Sequence, residues 1–355
     1  MAETAPIETR SNRLPVSIVT GFLGSGKTTL LNQLVRHPGM ADTALIVNEF
    51  GEIGIDHALV DQAFENTVLM DSGCICCSIR GDLIDTIEDL FANAALGRIP
   101  SFSRILIETT GLADPVPIVH ALAAGEEALG RCALDLVVTT VDGVLGAAQL
   151  AEHPEVESQI AVGDVILVTK SDIAEEETVR RLTRRIATVN PGIPVHRIEH
   201  GRIDPELLFA AGRRAGTVPP AGHNQEHTHD GAHGHAHDHD HGQEPAAHRH
   251  GTIQAQAVTA ERPLSPVRLR RFLETLLSLR GEHLLRVKGI VAMEGEDRPV
   301  VIQGVGAAFS PPATLPAWRD RPRRSELVFI FRGLDGAALE QAFRRMVLEE
   351  MPADR

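Results

Sequence analysis

The feature that most constrains the fold is an eight-residue glycine-rich run that follows an apolar stretch. Residues 21–28 read Gly-Phe-Leu-Gly-Ser-Gly-Lys-Thr and match the pattern G-x-x-x-x-G-K-[ST]. The run follows a predicted strand, Val16–Thr20, and precedes a predicted helix, Thr28–Arg36. Backbone N–H groups of such a loop surround a phosphate, and the helix N-terminus adds positive potential. The sequence therefore predicts a strand, a phosphate-binding loop and a helix in succession.

Short apolar runs alternate with helical stretches through the first 200 residues, as in an α/β fold with a mainly parallel sheet. Their β-branched, almost continuous apolar character is typical of strands covered on both faces. These observations predict a P-loop NTPase domain over residues 14–212. Besides the first strand, the predicted strands are residues 44–48, 104–108, 134–141 and 165–169, with a shorter one at 67–70.

The composition changes sharply after Gly212. Ten of the seventeen histidines lie between His223 and His250, and apolar periodicity disappears. Such a segment cannot bury enough apolar surface to offset its ordering entropy, so residues 213–251 are expected to form a disordered linker. Residues 1–13 are expected to be disordered as well. A small α+β domain with an antiparallel sheet is predicted for residues 252–350. Its predicted strands are 252–258, 284–293, 299–305 and 326–332, and its predicted helices are 265–279 and 334–348.

Charge and composition disfavour two classes of partner. The net charge of −14 argues against binding to nucleic acid or to an anionic membrane surface, and one Trp with no Tyr leaves little for base stacking. No apolar run reaches the roughly 18 residues of a membrane span, and residues 1–13 carry no apolar signal core. A cytoplasmic protein with reduced thiols is expected.

Two segments predict the phosphate and magnesium chemistry. Lys27 is placed to neutralise the β- and γ-phosphate oxygens, and Thr28 to offer its hydroxyl to Mg²⁺. Glu108 ends the strand 104–108 as a second acidic group near Mg²⁺, and Glu108-Thr-Thr-Gly111 resembles the Asp-x-x-Gly turn of GTPases. The Gly111 N–H is the candidate sensor of the γ-phosphate. No glutamine or arginine is evident that would orient the attacking water, so slow basal hydrolysis is expected.

A third segment predicts the base. In Thr169-Lys170-Ser-Asp172, Asp172 can accept hydrogen bonds from N1–H and the exocyclic amine of guanine, which adenine cannot offer. Lys170 would pack its stem along the purine ring. The usual first residue of this motif is Asn, and Thr169 stands there instead. GTP is therefore favoured over ATP. The predicted nucleotide-binding residues are Gly21, Gly24, Ser25, Gly26, Lys27, Thr28, Thr29, Thr169, Lys170 and Asp172.

Three of the four cysteines form the cluster Cys74-Ile-Cys76-Cys77, between the phosphate loop and the strand 104–108. The cluster supplies at most three thiolates, and no second pair of cysteines lies nearby to complete a tetrahedral site. A site with an open fourth position is better suited to metal transfer than to a structural role. A redox pair, a packed cysteine group and a structural zinc site are the alternatives. Glu49 lies upstream, where a GTPase keeps its first switch, and is a candidate ligand of Mg²⁺ or of the thiolate-bound metal.

The histidine segment offers a second type of metal site. His233, His235, His237, His239 and His241 alternate with small or acidic residues, so an extended chain presents them on one side. Neighbouring pairs can bind Zn²⁺, Co²⁺ or Ni²⁺ weakly, which suits collection rather than catalysis. Cys132 and His120 are interpreted as ordinary structural residues.

Together these motifs resemble the CobW family of P-loop GTPases, also called the G3E metallochaperone group. The resemblance covers Leu14 to about Arg345, apart from the histidine segment. The matching stretches are Thr20–Leu30, Asn48-Glu-Phe-Gly-Glu, Gly73-Cys-Ile-Cys-Cys, Glu108-Thr-Thr-Gly-Leu-Ala-Asp-Pro, Thr169-Lys-Ser-Asp, Leu285-Arg-Val-Lys-Gly and Gln303-Gly-Val.

The resemblance implies a GTPase that binds Zn²⁺ or Co²⁺ and delivers it to a client metalloprotein. It implies that Cys76 and Cys77, with Cys74, hold the metal, while Thr28 and Glu108 organise Mg²⁺. Some relatives carry a metal-binding carboxylate just before the Asn-Glu-Phe motif, where this chain has Val47. Alternatives are a metal buffer with a regulatory nucleotide site, a cobalt-handling accessory protein of cobalamin synthesis, and a P-loop nucleotide kinase. The second domain is expected to dock the client or to mediate self-association.

Overall fold

The computed structural model describes residues 13–47, 68–71, 79–124, 129–214, 253–318 and 321–349. The predicted ligands Glu49, Cys74, Cys76 and Cys77 and the histidine segment lie outside these residues. Two sheets dominate the described part of the chain.

The first sheet has seven strands in the order β3-β2-β4-β1-β5-β6-β7, and every paired neighbour in it is parallel. This confirms the predicted P-loop NTPase fold with a parallel sheet. Predicted and observed strands differ by at most two residues at their ends, and β7, the short strand at one edge, was not predicted. The strands are β1 (Leu14–Gly21), β2 (Thr43–Val47), β3 (Val68–Asp71), β4 (Arg104–Glu108), β5 (Cys132–Asp142), β6 (Val165–Thr169) and β7 (Val195–Arg197).

Helices cover both faces of this sheet, because its central strands are apolar on both sides. Along β1, Val16 and Ile18 face one buried cluster and Val19 faces the other, as the two-residue period of a strand requires. The helices are α1 (Lys27–Leu34), α2 (Ile79–Ala95), α3 (Val116–Ala124), α4 (Gly146–Glu152), α5 (Pro154–Val162), α6 (Glu176–Val189) and α7 (Pro205–Arg214).

The second sheet is antiparallel, as predicted, and its main path runs β11-β10-β9-β13-β8, with β12 paired to β10. Two helices, α8 (Pro266–Arg280) and α9 (Gly336–Phe343), follow the sequence prediction, although residues 344–348 continue as a π-helical turn. The strands are β8 (Ile253–Ala260), β9 (Leu284–Met293), β10 (Glu296–Val305), β11 (Ala308–Phe309), β12 (Ala313–Thr314) and β13 (Ser325–Arg332).

Strand β13 shows how the two sheets join. Its alternate residues Leu327, Phe329 and Phe331 pack into a cluster with α8 and α9. Val328 and Ile330, on the other face, belong to the same cluster as the core of the first sheet. One continuous apolar core therefore connects the two halves of the described chain.

Candidate functional site

The phosphate loop between β1 and α1 is fixed by contacts that only glycine permits. Gly21 and Gly26 have φ angles of 144° and 91°. A Cβ atom on Gly21 would lie 2.3 Å from Thr140 Oγ1 on β5. The Ser25 and Thr140 hydroxyls lie 2.7 Å apart and tie the loop to the same strand. Packing against β5 therefore sets the loop conformation. Gly24, with φ 70°, lies in this loop, and Thr29 lies on α1.

The predicted phosphate and magnesium residues come together at this loop. Lys27 Nζ donates to the carbonyl oxygens of Gly21 at 2.9 Å and Phe22 at 3.3 Å. Thr28 Oγ1 donates to Glu108 Oε1 at 3.3 Å, although the two residues are 80 positions apart. A hydroxyl and a carboxylate are oxygen ligands of the kind that Mg²⁺ prefers, so this pair fits the ion.

Thr169 connects the end that would hold the base to the phosphate loop. Its Oγ1 donates to the carbonyl oxygen of Ser25 at 2.8 Å. Its side chain also lies beside Gly26, where an added Cβ would be 3.4 Å from the Thr169 methyl carbon. The residue that replaces the usual Asn is therefore a structural link between the two loops of the site.

Lys170 and Asp172 occupy the carboxyl end of β6, as predicted. Lys170 has a positive φ of 53°, and its Nζ lies 2.6 Å from Asp142 Oδ2. Asp142 is buried at the end of β5, and its Oδ1 accepts the N–H groups of Val144 and Leu145. The Asp172 side chain is 30% exposed, so its carboxylate is accessible to a base. Asp142 thus fixes the ammonium group of Lys170 at the carboxyl end of β5.

Gly111 packs against the phosphate loop through its backbone. A Cβ on Gly111 would lie 2.7 Å from the Leu23 nitrogen, so the close approach requires glycine. From α5, the buried Gln159 Nε2 donates to the carbonyl oxygens of Gly111 at 3.2 Å and Ala113 at 3.3 Å. The candidate γ-phosphate sensor therefore lies at the phosphate loop, and its segment is fixed from behind by a helix.

Sequence reasoning missed three of these residues. Asp142 offered a signal, because it directly follows the predicted strand 134–141, at the edge of the sheet where parallel strands carry their ligands. Thr140 and Gln159 offered none, since their partners lie more than 45 residues away and their contacts depend on the fold.

The comparisons with known proteins decide the family. The CobW/HypB/UreG nucleotide-binding domain matches residues 15–197, and the cobalamin synthesis protein cobW C-terminal domain matches residues 253–347. The chain belongs to the CobW family of P-loop GTPases. The zinc chaperone YjiA of Escherichia coli is 33% identical over 94% of this chain and 98% of the relative. The zinc chaperone CobW of Pseudomonas aeruginosa is 30% identical over 94% and 91%.

Solved structures agree with this assignment. The crystal structure of Zn(II)-bound YjiA GTPase from E. coli is 29% identical, covers 95% of this chain and 99% of that chain, and has a TM-score of 0.68. A Zn(II)-bound triple mutant of YjiA, in which one glutamate and two cysteines are replaced by alanine, is 30% identical with the same coverage and TM-score.

The described ends of three strands bracket the candidate metal ligands of this CobW-family chain. Val47, the last residue of β2, pairs with Glu108 of β4 on one side and with Asp71 of β3 on the other. The Asn48–Asp56 segment follows Val47 in the sequence. The cysteine cluster lies between Asp71 and Ile79, the first residue of α2. The strand residues that precede both segments, Val47 and Asp71, therefore lie at the edge of the sheet at which Glu108 ends β4.

Cys132 and His120 have the surroundings of structural residues. Cys132 is buried in β5, and burial raises the pKa of its thiol, which disfavours the thiolate that binds metal. Burial lowers the pKa of His120, whose ring lies against Gly306 in the turn between β10 and β11. Within the described ranges no three His, Cys, Asp or Glu side chains form a metal-binding group. No helix in the same ranges is long and apolar enough to cross a membrane.

Proposed function

We propose that this protein is a GTP-dependent zinc chaperone that binds Zn²⁺ at Cys74, Cys76 and Cys77 and passes it to a client metalloprotein when GTP is hydrolysed. The strand register at the nucleotide site carries the proposal. Val47, Asp71 and Glu108 end neighbouring parallel strands, so the segments with the candidate zinc ligands begin beside the residue that is predicted to organise Mg²⁺.

Chain length limits how far the cluster can lie from the nucleotide. Cys74 follows Asp71 by three residues, which span at most about 11 Å. Asp71 lies two strands from Glu108, or about 10 Å at the usual strand spacing. Cys74 is therefore within about 21 Å of the Glu108 backbone. Cys77 precedes α2 by two residues, or at most about 7 Å.

The proposed cycle uses this short tether. GTP with Mg²⁺, held by Thr28 and Glu108, orders the Asn48–Asp56 and Cys74–Cys77 segments and completes a tight thiolate site, to which Glu49 is a candidate further ligand. Hydrolysis relaxes both segments and releases the zinc ion to a docked client. His233–His241 would collect ions for the site. The thiolates require a reducing compartment such as the cytoplasm. The proposal divides the chain into a GTPase domain (14–212), the histidine linker (213–251) and a client-docking domain (252–350).

The relatives support zinc as the transported ion. YjiA and the Pseudomonas protein carry the name zinc chaperone, and a protein from Dictyostelium discoideum, 29% identical over 50% of this chain, is named zinc-regulated GTPase metalloprotein activator 1. Zinc also prefers thiolate ligands over the oxygen ligands of Mg²⁺. Co²⁺ is the competing ion that a titration must separate from Zn²⁺.

Competitive Zn²⁺ and Co²⁺ titration tests the proposal. A variant that lacks residues 223–250 removes the histidine background and is titrated with GDP and with a non-hydrolysable GTP analogue. We expect one tight zinc ion with the analogue and at least tenfold weaker binding with GDP. Equal zinc affinity in the two nucleotide states would contradict the switch, because nucleotide hydrolysis could then not change how tightly zinc is bound.

Two cysteine variants sharpen this test. Cys76→Ala should abolish the tight site, whereas Cys132→Ala removes a buried thiol from β5 and should leave zinc affinity unchanged. Because YjiA is Zn(II)-bound even without two cysteines and a glutamate, the Cys76→Ala titration also measures the zinc that binds elsewhere. Unchanged tight binding in this variant would favour a metal buffer.

A further inference from the structure

Arg332, the last residue of β13, crosses from the C-terminal domain to the nucleotide-binding domain. Its Nη1 and Nη2 donate to Asp114 Oδ2 at 3.1 and 3.2 Å, and Nη2 also donates to the Ser158 hydroxyl. The Arg332 and Asp114 side chains are 29% and 35% exposed. A planar guanidinium with three such bonds fixes direction as well as charge, which a lysine could not do.

Asp114 belongs to the segment that is predicted to sense the γ-phosphate. It follows Gly111 by three residues, and its Oδ1 accepts the N–H of Val116 at 3.1 Å, which begins α3. Arg332 binds the other carboxylate oxygen. The segment between the sensor and α3 is therefore attached to the C-terminal domain by a charged contact.

Helix α5 makes the same connection by a second route. Two adjacent residues of this helix contact different domains. The Ser158 hydroxyl accepts a hydrogen bond from Arg332 of the C-terminal domain, and Gln159 donates to the carbonyl oxygens of Gly111 and Ala113. The guanidinium of Arg332 thus contacts Asp114, at the C-terminal end of the Gly111–Asp114 segment, and Ser158 on α5. Gln159 contacts the carbonyl oxygens of Gly111, at the N-terminal end of the segment, and of Ala113.

We infer that Arg332 is a positioning residue for GTP: through Asp114 and Ser158 it keeps the Gly111–Asp114 segment in the conformation that meets the γ-phosphate. The γ-phosphate is the only part of GTP that GDP lacks, so a segment that contacts it affects GTP alone. A segment that is already ordered loses less conformational entropy when the ligand binds, and this increases the affinity. Loss of Arg332 should therefore weaken GTP binding and leave GDP binding unchanged. The C-terminal domain would thereby set the nucleotide preference of the GTPase domain.

The inference goes beyond the proposed zinc transfer, and its test uses no zinc. Affinities for GDP and for a non-hydrolysable GTP analogue are measured with Mg²⁺ on the full chain and on Arg332→Gln. We expect the analogue to bind about five- to tenfold more weakly, or about 1–1.4 kcal/mol at 1.4 kcal/mol per tenfold, with GDP affinity changed less than twofold. An unchanged ratio of the two affinities, or an equal loss in both, would overturn the inference.

Further variants separate positioning from folding. Asp114→Asn keeps the oxygen that caps α3 but removes the charge, and it should reproduce the Arg332→Gln ratio. In the double variant the two losses should not add, since they remove one contact. Arg332→Lys should recover part of the ratio. Arg344→Gln, which breaks the exposed pair between Arg344 and Glu340 on α9, is the matched control and should change neither affinity. Additive losses would assign the two residues separate roles.

Reciprocity supplies an independent readout. If the C-terminal domain alters GTP affinity, GTP must alter the contact by the same free energy. Hydrogen exchange in β8 and β13 should be slower with the GTP analogue than with GDP in the natural chain, and the difference should vanish in Arg332→Gln. Identical exchange in the two nucleotide states of the natural chain would refute the coupling.

Discussion

Thr169 shows how far a single residue can be interpreted from a motif. The base-recognition motif places Thr169 at the end of a strand, in the position that an Asn usually occupies. Its partner, the carbonyl oxygen of Ser25, lies 144 residues earlier in the chain. Only the fold brings the two together, so the substitution looked like a weakened base motif and proved to be a link to the phosphate loop. Asp142 directly follows a predicted strand and so offered a local signal, but its pairing with Lys170 depends on the fold.

Asp172 allows a test of base recognition at this scale. Asp172→Asn exchanges a carboxylate, which is predicted to accept two hydrogen bonds from guanine, for an amide that can accept one and donate one. Hydrogen bonds to charged groups contribute about 1.5–3 kcal/mol, so guanine nucleotides should bind at least tenfold more weakly. Xanthosine diphosphate, which carries a carbonyl oxygen in place of the exocyclic amine, should bind better to the variant than to the natural chain.

Fluorescence competition with GDP and xanthosine diphosphate measures both changes. Thr169→Ala is the matched control, because it loosens the phosphate loop without touching the base and should weaken both nucleotides by the same factor. GDP affinity that is unaffected by Asp172→Asn would show that another residue reads the base.

At the scale of elements, the strands and helices that the sequence predicted have strong local signals, whereas the three-residue strand β7 was not predicted. The apolar runs of β1, β4 and β6 and the amphipathic pattern of α8 are properties of contiguous residues. The π-helical turn at 344–348 was not predicted, since it arises where the chain packs at the end of α9. The link through α5 was also invisible, because nothing in the helix pattern distinguishes Gln159 from a surface residue.

The phosphate loop provides an element-scale prediction. Gly21→Ala would place a methyl group 2.3 Å from Thr140 Oγ1 and 2.4 Å from the Thr140 carbonyl oxygen. Relief of this clash would require the phosphate loop to move away from β5, which would break the contact between the Ser25 and Thr140 hydroxyls. Nucleotide affinity should fall at least 100-fold, by isothermal titration. Gly97→Ala has a similarly unfavourable φ of 66° but meets no atom within 4 Å. It should cost about 1 kcal/mol of stability and leave affinity unchanged. Equal effects would contradict the packing argument.

At the scale of the whole molecule, the boundary between the two sheets buries an unusual set of charges. Arg286 of β9 donates to the Val162 carbonyl oxygen at 2.8 Å and pairs with Asp164, and all three groups are buried. Lys288, two residues along the same strand, is 6% exposed, and its Nζ lies 3.5 Å from the Gly163 carbonyl oxygen. Asp164 therefore pairs with Arg286 and also interacts electrostatically with Lys288. The chain has three lysines, and the other two, Lys27 and Lys170, lie in the candidate nucleotide site.

Lysine rather than arginine suits this position because an ammonium group can lose its proton when buried. Burial, reinforced by Arg286 and only partly opposed by Asp164, lowers the pKa of Lys288 from 10.5 to about 7. The unfolded chain therefore binds more protons than the folded chain between about pH 7 and pH 10.5. The free energy of unfolding should rise with pH across this window, by up to about 1.4 kcal/mol per pH unit from this group.

Lys288→Met tests this prediction, because methionine fills a similar volume without a charge. Below pH 7 the natural chain carries the full penalty of the buried ammonium, so the variant should be more stable there. The two should converge towards pH 10.5, where the natural lysine is neutral. Urea unfolding at pH 6, 7, 8 and 9 measures the difference, and Arg344→Met, an exposed cation on the same domain, should leave the pH slope unchanged. A variant that is less stable than the natural chain at pH 6 would mean that Lys288 is charged and well paired with Asp164 in the folded protein.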